Sequence, residues 1–331
     1  MQPKVTIYDV ANAANVSMAT VSRVMNRNPK VKKETKERVL KVIHDLNYHP
    51  NAVAQGLASK KTTTIGVIIP DLTNAYFANL AIGIDDIAMM YNYNIIIANS
   101  NEDTEKENQI IDNLLAKQVD GIIYMGRNQT EHFRSATRDN GTAVVLAGTV
   151  DEWNTPSVNI NYRQATYDAT SFFLKQGQKV ALVISDKNYP INAKYRIPGY
   201  KDALKEYGIE FNKKLIFETQ DNNSISNPTF QEIYESEASS AVVYSDDTAI
   251  ILLNKGFEMG RSIPEDFQII TSNNTVVTKY ARPTISSITQ PLYDIGAVAM
   301  RILTKMMNKE KVQDSNVYLD YDIIHRGTTR I

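Results

Sequence analysis

Apolar residues recur along this chain with two different periods, and the change from one to the other divides it. Over the first fifty residues the period is helical. Val10, Ala11 and Ala14 form one stripe, Val21 and Val24 a second, and Val39, Val42, Ile43 and Leu46 a third at i, i+3, i+4, i+7. The pattern predicts a first helix opening at Thr6, whose spacing to Asp9 resembles a capping box. A tight turn at Asn15-Val16 follows, then a second helix capped by Ser17 and a third from about Lys33 to Leu46. The second helix is expected to turn Met18, Ala19, Thr20, Ser22 and Arg23 outward near its N-terminal half, as a recognition helix does when it enters a DNA groove.

Pro50 then favours a break, and Asn51 is placed to cap a short helix over Ala52 to Ala58. Such a segment is too short to be stable alone. Val53, Ala54 and Leu57 share one face, so ordering requires a second copy or a DNA groove, where Leu57 has the size and shape of a wedge between base steps.

From Thr64 the period changes. Short apolar runs (IGVIIP, NIIIANS, GIIYMG, AVVLAG) alternate with helical patterns, namely Tyr76 to Tyr91, Glu105 to Lys117 and one near Thr130 to Arg138. A second series (KVALVIS, KLIFET, SAVVYS, FQIITS) does the same. This alternation predicts two doubly wound parallel sheets, hence two lobes with a cleft between them. Ligands of open α/β sheets bind beyond the carboxyl ends of the strands, so the loops after Pro70, Ser100, Asp186, Tyr244 and Ser272 should line that cleft.

Charge sharpens the division. The 331 residues carry a formal net charge of −1, but residues 1 to 61 hold 11 Lys and Arg against 4 Asp and Glu, or +7, leaving −8 for the remainder. Only the N-terminal part is suited to a polyanion. With no cysteine, disulfides and thiolate metal sites are excluded, and His44, His49, His132 and His325 lack helical-spaced partners, so no metal and no cofactor is expected. The absence of a signal pattern and of a membrane-length apolar run points to a cytoplasmic protein. No glycine-rich phosphate loop or nucleophile-base-acid motif rises above chance, which argues against an enzyme.

The order of these features is specific. A helix-turn-helix, then Tyr48-x-Pro50-Asn51-x-Val53-Ala54-x-x-Leu57, then Thr64-Ile65-Gly66-Val67 opening a parallel sheet, resembles the LacI/GalR family of bacterial repressors over essentially the whole chain. The resemblance implies an all-α helix-turn-helix DNA-binding head joined to an α/β core of the periplasmic-binding-protein type with two doubly wound parallel-sheet lobes. The boundaries it implies are a DNA-binding domain at 1–49 and a hinge at 50–61. The two lobes would be 62–161 plus 290–321 and 162–289 plus 322–331. In the family, Met18, Ala19 and Arg23 would read bases, Thr6, Tyr8, Ser17, Thr20, Ser22 and Asn26 would contact phosphates, and Asn51, Ala54 and Leu57 of the hinge would also bind DNA, with Leu57 in the minor groove.

The implied effector cleft contains Tyr76, Phe77, Arg196, Ser245, Asp246 and Asn273. Many members carry aspartate where Asn273 stands; an amide offers one acceptor oxygen where a carboxylate offers two, a departure from the sugar-responsive pattern. Read from the residues alone, Tyr76 and Phe77 also suit a helix core, Arg196 a carboxylate partner, and Asp246 a cap for a helix beginning near Thr248.

Segments SMATVSRV, GLASKKTTT, KQVDGII and DDIAMMYNYN, with Gln290 to Lys309, extend the likeness to the family's regulators of carbon catabolite repression and activation. That resemblance implies a homodimer on a pseudo-palindromic operator, with the phosphocarrier protein HPr, phosphorylated on serine, as co-repressor. Tyr91, Tyr293, Asp294, Arg301 and Lys305 would form its docking surface. Arg301 and Lys305 lie four apart, so both project from one helix face, and a phosphoserine of nearly two negative charges suits that pair. Ile82, Asn92, His49 and Gln55 stand where members often carry a basic or different residue. A phosphosugar in the cleft is a possible further ligand. The alternative is a repressor answering a free sugar or nucleobase.

Overall fold

The chain folds into two units, residues 1–62 and 63–331. A computed structural model describes residues 5–26, 28–49, 61–127, 130–150, 153, 155–219 and 224–330. The hinge residues Asn51, Ala54 and Leu57 lie outside the described residues.

In the first unit, α1 (Ile7–Ala13), α2 (Met18–Met25) and α3 (Lys33–Asp45) enclose one small core. It is built from Val10, Ala11, Ala14, Val21, Val24 and Val39, with Val42, Ile43 and Leu46 packed against it. Tyr48 belongs to this core and is only 8% exposed, although the sequence pattern groups it with the hinge motif. Thr6 closes a reciprocal capping box with Asp9, and Ser17 accepts from the Thr20 amide, so both helix starts are satisfied by side chains. Asn15 takes the left-handed conformation (φ 51°) that sharpens the turn between them.

The second unit holds two six-stranded sheets. The strands and helices of the first series are β1 (Thr64–Ile69), α4 (Ala75–Met90), β2 (Asn94–Asn99), α5 (Thr104–Ala116), β3 (Gly121–Tyr124), α6 (Glu131–Asp139), β4 (Ala143–Ala147) and β5 (Ser157–Ile160). The second series is α7 (Tyr162–Lys175), β6 (Val180–Ile184), α8 (Ile197–Glu206), β7 (Ile216–Glu218), α9 (Pro228–Glu235), β8 (Ser240–Val243), α10 (Asp246–Glu258), β9 (Gln268–Thr271), α11 (Val276–Tyr280) and β10 (Ser286–Thr289). The chain then returns through α12 (Leu292–Met307) and β11 (Asn316–Leu319) to end on β12 (Asp322–Ile324).

The first sheet has the order β11-β5-β4-β3-β1-β2, all parallel; the second has the order β12-β10-β9-β8-β6-β7, in which β12 runs antiparallel to β10. Alternation within β1 shows how each sheet is covered on two faces. Ile65, Val67 and Ile69 pack in the cluster that includes Leu80 and Ile84 of α4 and Ile295 of α12, while Ile68 packs with Ile111 and Leu114 of α5 and Phe133 of α6. The strands β5, β10, β11 and β12 are absent from the sequence-based alternation. Each has four residues or fewer, and buried positions in β5 and β10 are filled by Ser157, Asn159, Ser286 and Ser287, so no apolar run marks them.

Candidate DNA-reading face, interlobe cleft and docking surface

The capped starts of α1 and α2 leave a polar outer face on the first unit. Thr6, Tyr8, Ser17, Met18, Ala19, Arg23 and Asn26 are exposed, Tyr8 at 62%, and Thr20 and Ser22 are half-buried. All the residues predicted to read DNA from the described part of the head therefore retain accessible surface. The Ser17 and Thr20 hydroxyls are 3.0 Å apart, so the cap is a small hydroxyl pair at the helix N-terminus, where amide donors and the helix dipole favour a phosphate oxygen.

In the second unit the ends of the strands enclose a cavity of about 70 Å³ lined by residues of both lobes. Five of its lining residues, Asn74, Phe77, Arg127, Tyr244 and Ser245, also line a wider recess of about 430 Å³. Tyr76, Phe77, Arg196, Ser245 and Asn273 of the expected cleft residues line the inner cavity. Tyr76 and Phe77 are at once core and lining, each 8% exposed, and the Tyr76 hydroxyl donates to the Gly148 carbonyl at 3.2 Å. Arg196 has no carboxylate partner among the described residues. It donates to Asn192 Oδ1 at 3.0 Å and lies over the Tyr162 ring at 5.1 Å, and burial pulls its pKa below the ordinary value.

Asp246 is corrected on two counts. Ser245, not Asp246, is the cap of α10, accepting from the Thr248 amide. Asp246 is also not a lining residue. Its carboxylate accepts from the Thr271 hydroxyl, the Asn273 and Thr275 amides and the Thr275 hydroxyl at 2.7 to 3.3 Å, which consumes it in holding the loop after β9. The Asn273 amide oxygen accepts from Gln290 Nε2 at 3.0 Å.

Tyr162, Tyr189, Arg127, Asn74 and Gln290 were missed from sequence. The first four line the inner cavity, and Gln290 backs it by accepting from the Tyr162 hydroxyl at 3.1 Å. Arg127 pairs with Glu102 at 3.2 Å and stacks on Tyr189. Burial pushes the hydroxyls of Tyr76, Tyr162 and Tyr189 above their ordinary values, so they act as neutral donors. The strand-end rule applied to β3 and β5 would have found Arg127 and Tyr162; β5 was unrecognised.

The third surface lies on α4 and α12. Added Cβ atoms at Gly83 and Gly296 would come within 2.0 Å of the Tyr293 and Leu80 carbonyl oxygens, so the two helices are in backbone contact there. The Tyr293 hydroxyl donates to Asp86 at 3.0 Å, a bond that raises its pKa. Tyr91 ends α4 as its C-cap. At 100° per residue, Asp294, Arg301 and Lys305 fall on one stripe of α12; all three are exposed, and neither cation has an ion-pair partner among the described residues.

Comparison with known proteins decides the family. The model for bacterial regulatory proteins of the lacI family matches residues 6–51, and that for the periplasmic binding proteins and sugar binding domain of the LacI family matches residues 62–308. The chain belongs to the LacI family. This LacI-family chain is 51% identical over 327 residues to catabolite control protein A of Streptococcus mutans serotype c, with 98% of each covered. It is 47% identical over 327 residues to the HTH-type transcriptional regulator pepR1 of Lactobacillus delbrueckii subsp. lactis, again with 98% of each covered. The crystal structure of the transcription regulator CcpA of Lactococcus lactis matches with TM-score 0.78 and 43% identity, covering 81% of this chain and 99% of that one. The lac repressor dimer bound to operator and an anti-inducer matches with TM-score 0.86 at 23% identity, over 98% and 99% of the two chains, a likeness of fold. A LacI-family regulator binds DNA through its head. No helix among the described residues is long and apolar enough to cross a membrane.

Proposed function

We propose that this protein is a cytoplasmic, dimeric regulator of catabolite control whose operator binding is promoted by serine-phosphorylated HPr docking on α4 and α12. The observation that carries the reading is the pair Arg301 and Lys305, exposed one turn apart and free of ion-pair partners among the described residues. A seryl phosphate meets such a pair with charge-assisted hydrogen bonds. Asp294 on the same stripe, with exposed Tyr293 next to it in sequence and exposed Tyr91 at the end of α4, supplies the polar and aromatic remainder of a protein-sized contact. Identity of 51% to a catabolite control protein supports the same regulatory role. Docking need only favour the DNA-competent arrangement over the other, and couplings of about 1 to 3 kcal/mol are usual for such a shift.

The cleft supports a secondary role for an anionic small molecule such as a phosphosugar, because Arg196 lines the inner cavity with no carboxylate partner among the described residues. The decisive experiment measures operator affinity with and without serine-phosphorylated HPr. The expected result is a gain of about tenfold or more with wild type. Arg301→Ala should lose that gain while keeping HPr-independent operator binding. No response of the wild type to the phosphorylated partner would reject the reading.

A further inference from the structure

Among the hydrogen bonds that join the two lobes, one links the first turns of two helices. Asn74 caps α4 with its amide oxygen, accepting from the Tyr76 backbone amide at 2.9 Å, and its Nδ2 donates to Asp247 Oδ2 at 2.8 Å. Asp247 is the second residue of α10, in the other lobe. Chemistry permits one orientation of that amide, since the backbone N–H can only donate and the carboxylate only accept. Asn74 thus spends both ends of its side chain, one inside its own lobe and one across the gap.

The partner is held in a demanding setting. Burial raises the Asp247 carboxyl above its ordinary pKa, and Asp246 and Asp71 add repulsion. Asp246 beside it has four donors from its own lobe, whereas Asp247 has the Asn74 amide. In this arrangement burial and the neighbouring carboxylates destabilise the Asp247 anion, and the Asn74 amide from the other lobe is the side-chain donor that offsets the cost.

We propose that Asn74 and Asp247 form a latch that holds the cleft closed and transmits closure into α4. The same amide that meets the far lobe fixes the first turn of α4, a continuous helix of 16 residues. A helix of that length is a rod of about 24 Å and does not absorb a displacement at one end. Further along, α4 meets α12 backbone to backbone at Gly83 and Gly296 and through Tyr293 and Asp86. Closure at Asn74 thus sets the position of α4 against α12, the two helices that carry Tyr91, Tyr293, Arg301 and Lys305.

Three variants separate the latch from the cap. Asn74→Asp keeps an oxygen for the Tyr76 amide but opposes a carboxylate to Asp247. Asp247→Ala removes the acceptor and leaves the cap intact. Asn74→Asp with Asp247→Asn restores the bond with donor and acceptor exchanged. Because the chain has no cysteine, spin labels at Thr104→Cys and Asn188→Cys, in the two lobes, report the distance across the cleft without background.

Asn74→Asp and Asp247→Ala are expected to shift the closed-to-open ratio about tenfold toward longer distances, the effect of losing a hydrogen bond to an ionised group. The exchanged pair should return the distribution toward wild type. Wild-type distances in Asn74→Asp, or an exchanged pair as open as the single variant, overturn the latch. The second measurement, affinity for serine-phosphorylated HPr, rests on the proposed function. Transmission to α4 requires that affinity to fall in both opened variants and to recover in the exchanged pair, and an unchanged affinity overturns it. Failure of wild type to bind HPr would reject the proposed function alone, because the distances are read without HPr.

Discussion

Glu107 has no exposed surface, yet only one of its carboxyl oxygens is served, by the Tyr124 hydroxyl at 3.0 Å; the other has no partner. Burial is the larger influence and pushes its pKa up to about 7, against the smaller downward pull of the tyrosine hydrogen bond. The folded state therefore holds the proton more tightly than the unfolded chain, whose value is near 4.5. Stability from this group is fully present below about pH 4.5 and is lost as pH rises through about 7, by about 3 kcal/mol at most. Glu107→Gln keeps an acceptor for Tyr124 and removes the titration. Urea unfolding at pH 6 and pH 8 should show the variant gaining on wild type at the higher pH; an equal difference at both would contradict the assignment. Asp246 illustrates the opposite solution, a buried carboxylate held by four donors. The sequence suggested a capping role because Asp stands at a helix start, and the donors that claim it lie about 25 residues or more further along.

At the scale of elements, the α4 and α12 contact depends on two glycines in helix interiors, where glycine itself costs about 1 kcal/mol relative to alanine. Their positions explain the choice. A methyl group at Gly83 would sit 2.0 Å from the Tyr293 carbonyl oxygen, and one at Gly296 2.0 Å from that of Leu80. Either alanine variant must separate the helices, so a lowered melting temperature is expected in spite of the gain in helix propensity, and calorimetry reads it directly. A stabilised Gly83→Ala protein would show that the helices are not in contact. The helices themselves were legible because caps and a 3.6-residue period mark them, as at Thr6, Ser17 and the Val39 stripe. Longer apolar strands such as β1 and β6 were equally legible. The crossover strands were not, because buried serines stand where apolar residues would mark a strand, and two of them find partners far away in sequence; Ser157 meets Asn316 and Ser286 meets Thr329. The cleft suffers from the same non-locality. Asn74, Arg127, Tyr162 and Tyr189 carry no common spacing, and only the order of strands brings them to one cavity.

For the whole molecule, the decisive property is the uneven charge: +7 over residues 1 to 61 and −8 over the rest. A basic head gains affinity for DNA by releasing counterions, whereas an acidic core does not, so the salt dependence of operator binding belongs to the head. Two heads contacting about 6 to 10 phosphates in all should lose about 10³ to 10⁵ in operator affinity between 50 and 200 mM salt. Arg301 lies on the core, and in the absence of HPr its replacement by alanine should leave that slope unchanged. With serine-phosphorylated HPr present, the wild-type affinity should rise at every salt concentration. The increment should shrink as salt screens the exposed Arg301 and Lys305 pair, because a solvent-accessible phosphate contact is itself electrostatic. Fluorescence anisotropy of a labelled operator across that salt series reads both effects. A slope that Arg301→Ala alters without HPr would place Arg301 in DNA binding, and an increment insensitive to salt would show that docking does not depend on the phosphate pair.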